Sequence, residues 1–156
     1  MDKTIIVYFS LTGNTERLAH LIGDFLKEKG KTADYFKLLP ERPGSFLKNC
    51  RDARRRRKAV LKELPDISGY DTLFLGSPVW AFNIVPAVRG LLKTVPLAGK
   101  NVFIFVTHGG GPGKAMKEFA DAVEGRGGKV IGVYGMQDKR ISEDFPNFTP
   151  LLEKLF

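Results

Sequence analysis

The sequence lacks the features that define several large classes of protein. Its single cysteine, Cys50, excludes an internal disulfide and a cysteine-based metal cluster. It contains no run of about 18 apolar residues, so we expect no membrane span. The first residues, MDKTII, lack the long apolar region of a signal peptide. Together with a length of 156 residues, these absences predict one cytoplasmic domain that covers residues 1–156.

Acidic residues are also scarce: 17 stand against 25 lysines and arginines, which gives a net charge of +8. Most of the excess lies in residues 44–62, called the basic segment below, where eight cations and one carboxylate (8 − 1) give +7. Such a concentration predicts an acidic partner, and a protein, a nucleic acid and an anionic lipid all fit. The cations of the segment are Lys48, Arg51, Arg54, Arg55, Arg56, Arg57, Lys58 and Lys62.

The apolar residues occur in short runs. Four runs are continuously apolar, which is typical of parallel strands covered on both faces, and a fifth run is more mixed and predicts an edge strand. Helical patterns separate them, so we expect an α/β fold with a five-stranded parallel sheet in the order 2-1-3-4-5. In chain order the predicted strands are residues 4–10, 32–38, 71–79, 101–108 and 129–136.

The helical pattern is clearest after the first strand, where apolar residues recur at spacings of three and four from Leu18 to Leu26 and Gly30 provides the stop. Further helices are predicted in 86–95, 113–125 and 149–156. A helix is also expected in the basic segment, between strands two and three, with one face formed by Arg51, Arg55, Lys58 and Lys62.

Ligands of such sheets bind at the carboxyl ends of the strands, where the strand order reverses. The loop SLTGNT follows the first strand there, and its side-chain hydrogen-bonding groups are Ser10, Thr12, Asn14 and Thr15, while Gly13 permits a tight turn. Without a lysine or arginine, this loop favours a phosphate dianion held by neutral donors at a helix N-terminus. The alternative is helix capping by Thr12 or Asn14, which needs only one such residue.

Two further loops reach the same edge of the predicted sheet. In GSPVWAFN, Trp80 and Phe82 follow strand three, which suggests stacking on a flat ring, although Trp80 could instead pack against a neighbouring helix. In THGGGPGK, successive glycines either let the backbone approach a ligand or form a mobile turn. His108 lies at this crevice, where a ligand-binding role and a structural role are both open.

Together, SLTGNT, GSPVW and the glycine-rich turn resemble the flavodoxin family, whose first motif is [ST]-x-T-G-[NS]-T. The resemblance covers nearly the whole chain in the short form of the family. It implies a flavodoxin-like three-layer α/β/α sandwich, the cofactor FMN and low-potential, single-electron transfer to partner proteins, with no acid–base catalytic residue. The cofactor-binding residues that it implies are Ser10, Leu11, Thr12, Gly13, Asn14, Thr15, Pro78, Val79, Trp80, Ala81, Phe82, Asn83, Thr107, His108, Gly109, Gly110 and Gly111.

Two departures from the family bear on function. Flavodoxins are commonly acidic and many place a tyrosine in the third loop, whereas this chain is basic and has His108 and glycines there. A more open flavin face would admit a substrate, so an NAD(P)H-dependent quinone or flavin reductase of the same superfamily is the alternative hypothesis, and whether the protein is an enzyme stays open. A flavin-free interaction module is a third, weaker hypothesis.

The basic segment has three interpretations. The segment could be a solvated helix, a docking face for an acidic redox protein such as a ferredoxin, or a site that binds nucleic acid. No aromatic residues interleave its arginines, which disfavours nucleic acid.

Three other protein classes do not match this sequence. GGGPGKA lacks the first glycine and the final hydroxyl of a nucleoside-triphosphate loop. CRDARRR has the Cys-x5-Arg spacing of thiol phosphatases, yet no buried strand precedes it, so Cys50 is expected to be a half-buried helix residue. A response regulator would need acidic residues after strands one and three, and the segments FSLTGNT and GSPVW contain none. Glu16, Asp71 and Asp138 form no recognisable acid–base pair along the chain, so the sequence does not indicate hydrolysis.

Overall fold

The computed structural model describes residues 2–156, apart from the side chain of Phe46. The strands are β1 Thr4–Tyr8, β2 Ala33–Lys37, β3 Thr72–Trp80, β4 Asn83–Ile84, β5 Asn101–His108 and β6 Lys129–Gln137. The helices are α1 Asn14–Glu28, α2 Phe46–Arg54, α3 Pro86–Thr94, α4 Ala115–Gly125 and α5 Ile141–Glu153, and a 3-10 turn spans Asp138–Arg140.

The sheet has the predicted topology. Its parallel strands lie in the order β2-β1-β3-β5-β6, which is 2-1-3-4-5 when only parallel strands are counted. The predicted fold class, a three-layer α/β/α sandwich, is therefore confirmed. The additional strand, β4, was not predicted: it has two residues and pairs antiparallel with the end of β3 through Val79–Ile84 and Trp80–Asn83.

Both faces of the sheet are covered, which explains the continuously apolar strands. Because alternate strand residues point to opposite faces, Val7, Leu75 and Ile104 pack in one apolar cluster with residues of α3 and α4. Ile6 and Phe105 pack in the other cluster with residues of α1 and α5. Five strands sandwiched in this way place all their carboxyl ends at one edge, where the predicted loops meet.

The basic segment is bound to the fold at several points. The carbonyl of Ala53 accepts a hydrogen bond from the Arg89 side chain at 2.9 Å, and Arg89 also forms a buried ion pair with Glu118 of α4. The Ala59 amide donates to the carbonyl of Pro86 at 2.9 Å. An isolated antiparallel bridge joins Pro40 to Leu61.

Two predicted helices differ from the observed ones. The helix of the basic segment exists but ends at Arg54, so the single cationic face predicted to include Arg55, Lys58 and Lys62 is wrong. The C-terminal helix begins at Ile141, eight residues before the predicted start, and contains Pro146 and Pro150. Proline normally disfavours a helix interior, but packing of buried residues on this helix outweighs that propensity.

Among residues 2–156, the structure contains no helix with the length and apolar character that a membrane crossing requires.

Candidate functional site

The loop between β1 and α1 presents a row of backbone donors. Gly13 occupies the N-cap of α1 with φ of 94°, a left-handed conformation that glycine adopts without strain, and no side chain caps the helix. No described residue accepts a hydrogen bond from the backbone N–H of Asn14, Thr15 or Glu16. Capping by Thr12 or Asn14 is therefore not the role of these side chains. The free donors and the positive end of the helix dipole suit an anion.

The side chains of this loop are held in place by one another. The Ser10 hydroxyl accepts from the Gly13 amide at 3.1 Å, and the Asn14 amide group lies 3.3 Å from the Thr12 hydroxyl. The Thr15 hydroxyl is buried and lies 2.8 Å from the hydroxyl of Thr107, at the end of β5. The first and third predicted loops are thus in direct contact.

Asp138 and His108 form a pair that the sequence pattern does not reveal. Burial raises the pKa of the Asp138 carboxyl, while His108 and a hydrogen bond from Thr107 lower it in part. Burial lowers the pKa of His108, and the charge of Asp138 offsets this in part. His108 Nδ1 is buried and makes no hydrogen bond to any described residue. The two residues are 30 positions apart, and only the pairing of β5 with β6 brings them together.

The second predicted loop is a tight hairpin between β3 and β4. Trp80 is only 8% exposed, because its ring packs edge-to-face on Phe9 with centroids 5.6 Å apart. Of the two interpretations, packing against a neighbour is therefore observed, although the neighbour is Phe9 rather than a helix. Phe82 is the exposed aromatic residue, at 65%. Ala81 and Phe82 both have positive φ, at 49° and 61°, as a type I′ hairpin turn requires.

The third loop lies opposite this hairpin. A β-carbon added to Gly109 or Gly110 would meet no atom within 4 Å, so the loop is open on that side. Gly113 contacts Phe82, since an added β-carbon would lie 2.9 Å from Phe82 Cβ. The Gln137 side chain donates to the carbonyl of Gly109 at 3.0 Å. The turn is therefore anchored by β6 and by the hairpin.

The three loops enclose a cavity of about 400 Å³, called the crevice below. Ten of the predicted cofactor-binding residues line it, and so does Asp138, which was not predicted. No lysine, arginine or histidine is among the described residues that line the crevice. The predicted residues that line it are Ser10, Leu11, Thr12, Asn14, Thr15, Pro78, Val79, Trp80, Thr107 and Gly109. Those that lie outside its lining are Gly13, Ala81, Phe82, Asn83, His108, Gly110 and Gly111.

Other chemistries find no support in the described residues. Burial raises the pKa of the Cys50 thiol, which opposes the thiolate that a phosphatase nucleophile needs. As predicted, Cys50 is a partly buried residue of α2. Residues 2–156 contain no group of three or more His, Cys, Asp or Glu side chains that could hold a metal ion. His20 is exposed and lies against the ring of Tyr35.

Comparison with protein families gives a match over most of the chain. Residues 3–132 match a family model described as flavodoxin. A flavodoxin of Clostridium beijerinckii is 26% identical over 132 residues, which cover 81% of this chain and 79% of that protein. An NAD(P)H dehydrogenase (quinone) of Cupriavidus metallidurans is 27% identical over 78 residues, which cover 50% of this chain and 39% of that protein.

Comparison with solved structures gives the same fold. A flavoprotein of Lactobacillus acidophilus, solved in complex with FMN, superposes with a TM-score of 0.69 at 23% identity. The match covers 92% of this chain and 98% of that one.

Proposed function

The chain belongs to the flavodoxin family, and on that premise we propose that it binds FMN and carries single electrons between partner proteins. The observation that carries this proposal is the uncapped N-terminus of α1. Asn14 and Thr15, two of the residues with unpaired amides, line the crevice, and no lysine, arginine or histidine is among its described lining residues, so we expect a phosphate to bind there. The third hypothesis, a flavin-free module, provides no acceptor for these backbone donors.

The residues of the first loop fit the phosphate group of FMN. The unpaired N–H groups of Asn14, Thr15 and Glu16 would donate to phosphate oxygens, and the Thr12 hydroxyl and Asn14 amide are exposed or partly exposed beside them. A phosphate monoester carries close to two negative charges at neutral pH, which suits a helix N-terminus.

The hairpin and the third loop fit the ring system. FMN supplies the redox chemistry when it is bound, and the protein sets its environment. Val79 and Trp80 line one side of the crevice, and Thr107 and Gly109 line another. Asp138 is the only carboxyl-bearing residue among the described residues that line the crevice, and Arg42, Lys48 and Lys58 lie outside that lining. We expect the absence of a lining cation to disfavour added negative charge on the ring and so to lower its potential.

The basic segment gives the proposed carrier a docking face. Arg54, Arg55, Arg56 and Arg57 are exposed and lie at the C-terminal end of α2 or directly after it. An acidic redox protein would be attracted to this face, and its association rate would fall as salt is added.

Two measurements on the purified protein test this function. A titration with FMN and with riboflavin, followed by flavin fluorescence, should show one site that prefers FMN. An electrochemical titration of the FMN-loaded protein should then show two separated one-electron steps. A single two-electron step would contradict the carrier assignment, and no binding of FMN would contradict the cofactor assignment.

A quinone or flavin reductase is the second candidate, because the third loop is open at Gly109 and Gly110 and one relative is a quinone dehydrogenase. In that case the partly buried His108 would lie near the substrate. Stopped-flow mixing with NADH or NADPH and a soluble quinone distinguishes the two candidates. Rapid oxidation of the nucleotide supports the reductase, whereas negligible oxidation supports the carrier.

A further inference from the structure

A second cavity, of about 370 Å³, lies beside the crevice and shares Trp80 with it. Residues of α2 and residues 58–60 form one side of this cavity, and the start of α3 forms another. We propose that this space, called the α2 cavity below, binds a small aromatic anion. The inference concerns a site separate from the crevice and does not depend on the identity of the flavin.

The charges around the α2 cavity favour an anion. Arg42, Lys48 and Lys58 line it, are exposed, and form no salt bridge with any residue that the structure describes. Two carboxylates, Glu41 and Asp52, also line it, but Asp52 is paired with Arg57 at 3.5 Å. The unpaired charges of the lining are therefore three cations and one carboxylate, that of Glu41.

The inner surface of the α2 cavity favours a ring. Phe9, Trp80 and Ala87 line it and are 7%, 8% and 3% exposed, so each presents a small apolar surface next to buried neighbours. An aromatic pair offers edges and faces against which another ring can pack. A cavity with an apolar interior, a few charged groups at its rim and a volume of this size is typical of small-molecule sites.

The walls of the cavity are fixed by backbone hydrogen bonds. Ala59 donates to Pro86 at 2.9 Å, and Glu41 donates to Val60 at 2.8 Å, which joins the basic segment to α3 and to the chain after β2. The Arg89 side chain holds the carbonyl of Ala53 at the end of α2. A ligand would therefore enter a largely preformed site and would order little additional chain.

Because Trp80 lines both cavities, we expect the two ligands to influence each other. An anion that shifts the Trp80 ring would change the affinity of the crevice for flavin, and flavin would change the affinity for the anion by the same factor. The sequence contains one tryptophan, so its indole N–H gives a single signal in a nitrogen-15 NMR spectrum.

The experiment uses that signal in the FMN-saturated protein, with naphthalene-2-sulfonate as the probe and neutral naphthalene-2-sulfonamide as its matched control. We expect saturable shifts of the Trp80 indole and of the amides of Ala59, Val60 and Ala87. The sulfonamide should bind about tenfold more weakly. Equal binding of both compounds, or shifts confined to the first loop, would overturn the inference.

Matched charge-reversal variants separate the cavity from the rest of the basic segment. Arg42→Glu with Lys58→Glu should weaken sulfonate binding by about tenfold, whereas Arg51→Glu with Lys62→Glu carries the same charge change outside the lining and should weaken it by less than about threefold. Equal losses in both variants would mean general attraction to the segment, and would overturn the inference.

The same experiment on flavin-free protein separates this inference from the proposed function. Sulfonate binding in a protein that takes up no FMN would support the α2 cavity and contradict the proposed function. FMN binding without sulfonate binding would support the proposed function and overturn the inference about the α2 cavity.

Discussion

At the scale of single residues, the hydroxyl of Thr15 is less available to a phosphate than the loop sequence suggests. A hydroxyl has one proton to donate. The Thr15 and Thr107 hydroxyls lie 2.8 Å apart, so one of them gives its proton to the other, and Thr15 is the donor whenever the Thr107 proton points to the Asp138 carboxyl. Its own proton is then not available to a phosphate, which leaves Thr12 as the better side-chain donor of the loop.

The first prediction concerns Thr12. Thr12→Ala should weaken FMN binding by about tenfold or more, because a charge-assisted hydrogen bond to phosphate is lost. Riboflavin, which has no phosphate, should bind the variant and the parent equally. Titrations followed by flavin fluorescence measure both affinities, with Thr32→Ala, an exposed threonine away from the crevice, as the control. A similar loss for riboflavin would contradict a phosphate role.

The second prediction concerns Asp138. Its pKa is raised in the folded state, so the ionised carboxylate disfavours folding at neutral pH, and this penalty disappears below the pKa of an unfolded aspartate. Asp138→Asn should therefore increase the free energy of unfolding at pH 7 and leave it nearly unchanged at about pH 3.5. Urea unfolding of the flavin-free protein at both pH values measures this. Asp24→Asn, on the exposed side of α1, is the control. An equal change at both pH values would show that burial of the charge is not the cause.

At the scale of elements, the β3–β4 hairpin carries backbone strain. Ala81 and Phe82 adopt positive φ at positions where glycine or asparagine is usual. Non-glycine residues pay about 1 kcal/mol or more for this conformation. The strain lies next to Trp80, in a turn that contacts Gly113 of the third loop, so the hairpin and that loop hold each other in place.

The third prediction tests this strain. Ala81→Gly should stabilise the protein by about 1 kcal/mol, because glycine adopts positive φ without a steric penalty. Thermal unfolding of the flavin-free protein measures the change. Ala98→Gly is the control, since Ala98 is exposed and lies outside the positive-φ residues; there the flexible unfolded chain should make the variant less stable. A lower melting temperature for Ala81→Gly would contradict the assignment of strain.

The fourth prediction concerns the contact between α3 and the basic segment. A β-carbon on Gly90 would lie 2.1 Å from the carbonyl oxygen of Ala59, so this glycine allows the segment to pack on the helix. Gly90→Ala should destabilise the protein by about 1–3 kcal/mol, because the backbone must shift. Gly125→Ala, at the end of α4 where an added β-carbon meets nothing within 4 Å, should be neutral or stabilising. Urea unfolding compares them, and equal stabilities would contradict the close contact.

At the scale of the whole molecule, the charge is concentrated near the crevice. The basic segment carries +7 of the net +8, and it lies at the carboxyl edge of the sheet, where the crevice also opens. A partner attracted by this charge is therefore brought close to the proposed flavin. In the proposed function, chemistry at the crevice and recognition by the segment are therefore separate tasks of adjacent surfaces.

The fifth prediction tests recognition by charge. Replacing Arg54–Arg57 by glutamine should slow electron exchange with an acidic ferredoxin several-fold at low salt and flatten its salt dependence. The matched control replaces four exposed cations elsewhere by glutamine and should change the rate less; they are Lys3, Lys93, Arg126 and Lys129. Stopped-flow kinetics at several salt concentrations measure both. Equal effects of the two sets of replacements would contradict a docking role and favour the interpretation of the segment as a solvated surface.

Local sequence patterns specify the sheet and the edge at which the candidate site lies. Continuous apolar runs separated by helical patterns are enough to specify parallel strands covered on both faces, because each run must be buried on two sides. Once the strand order is known, the carboxyl ends of the strands meet at one edge. The sequence therefore predicts that SLTGNT, GSPVW and the glycine-rich turn lie together, and ten of the residues named there line one cavity.

The arrangement of side chains within that candidate site depends instead on contacts between distant segments. The burial of Trp80 depends on Phe9, 71 residues away (80 − 9), and the Thr15–Thr107 bond and the Asp138–His108 pair join segments that are distant along the chain. The helix α5 also depends on packing, which overrides the low helix propensity of its two prolines. Local patterns report what each segment prefers, whereas contacts between distant segments arise only when the strands pair and the helices pack.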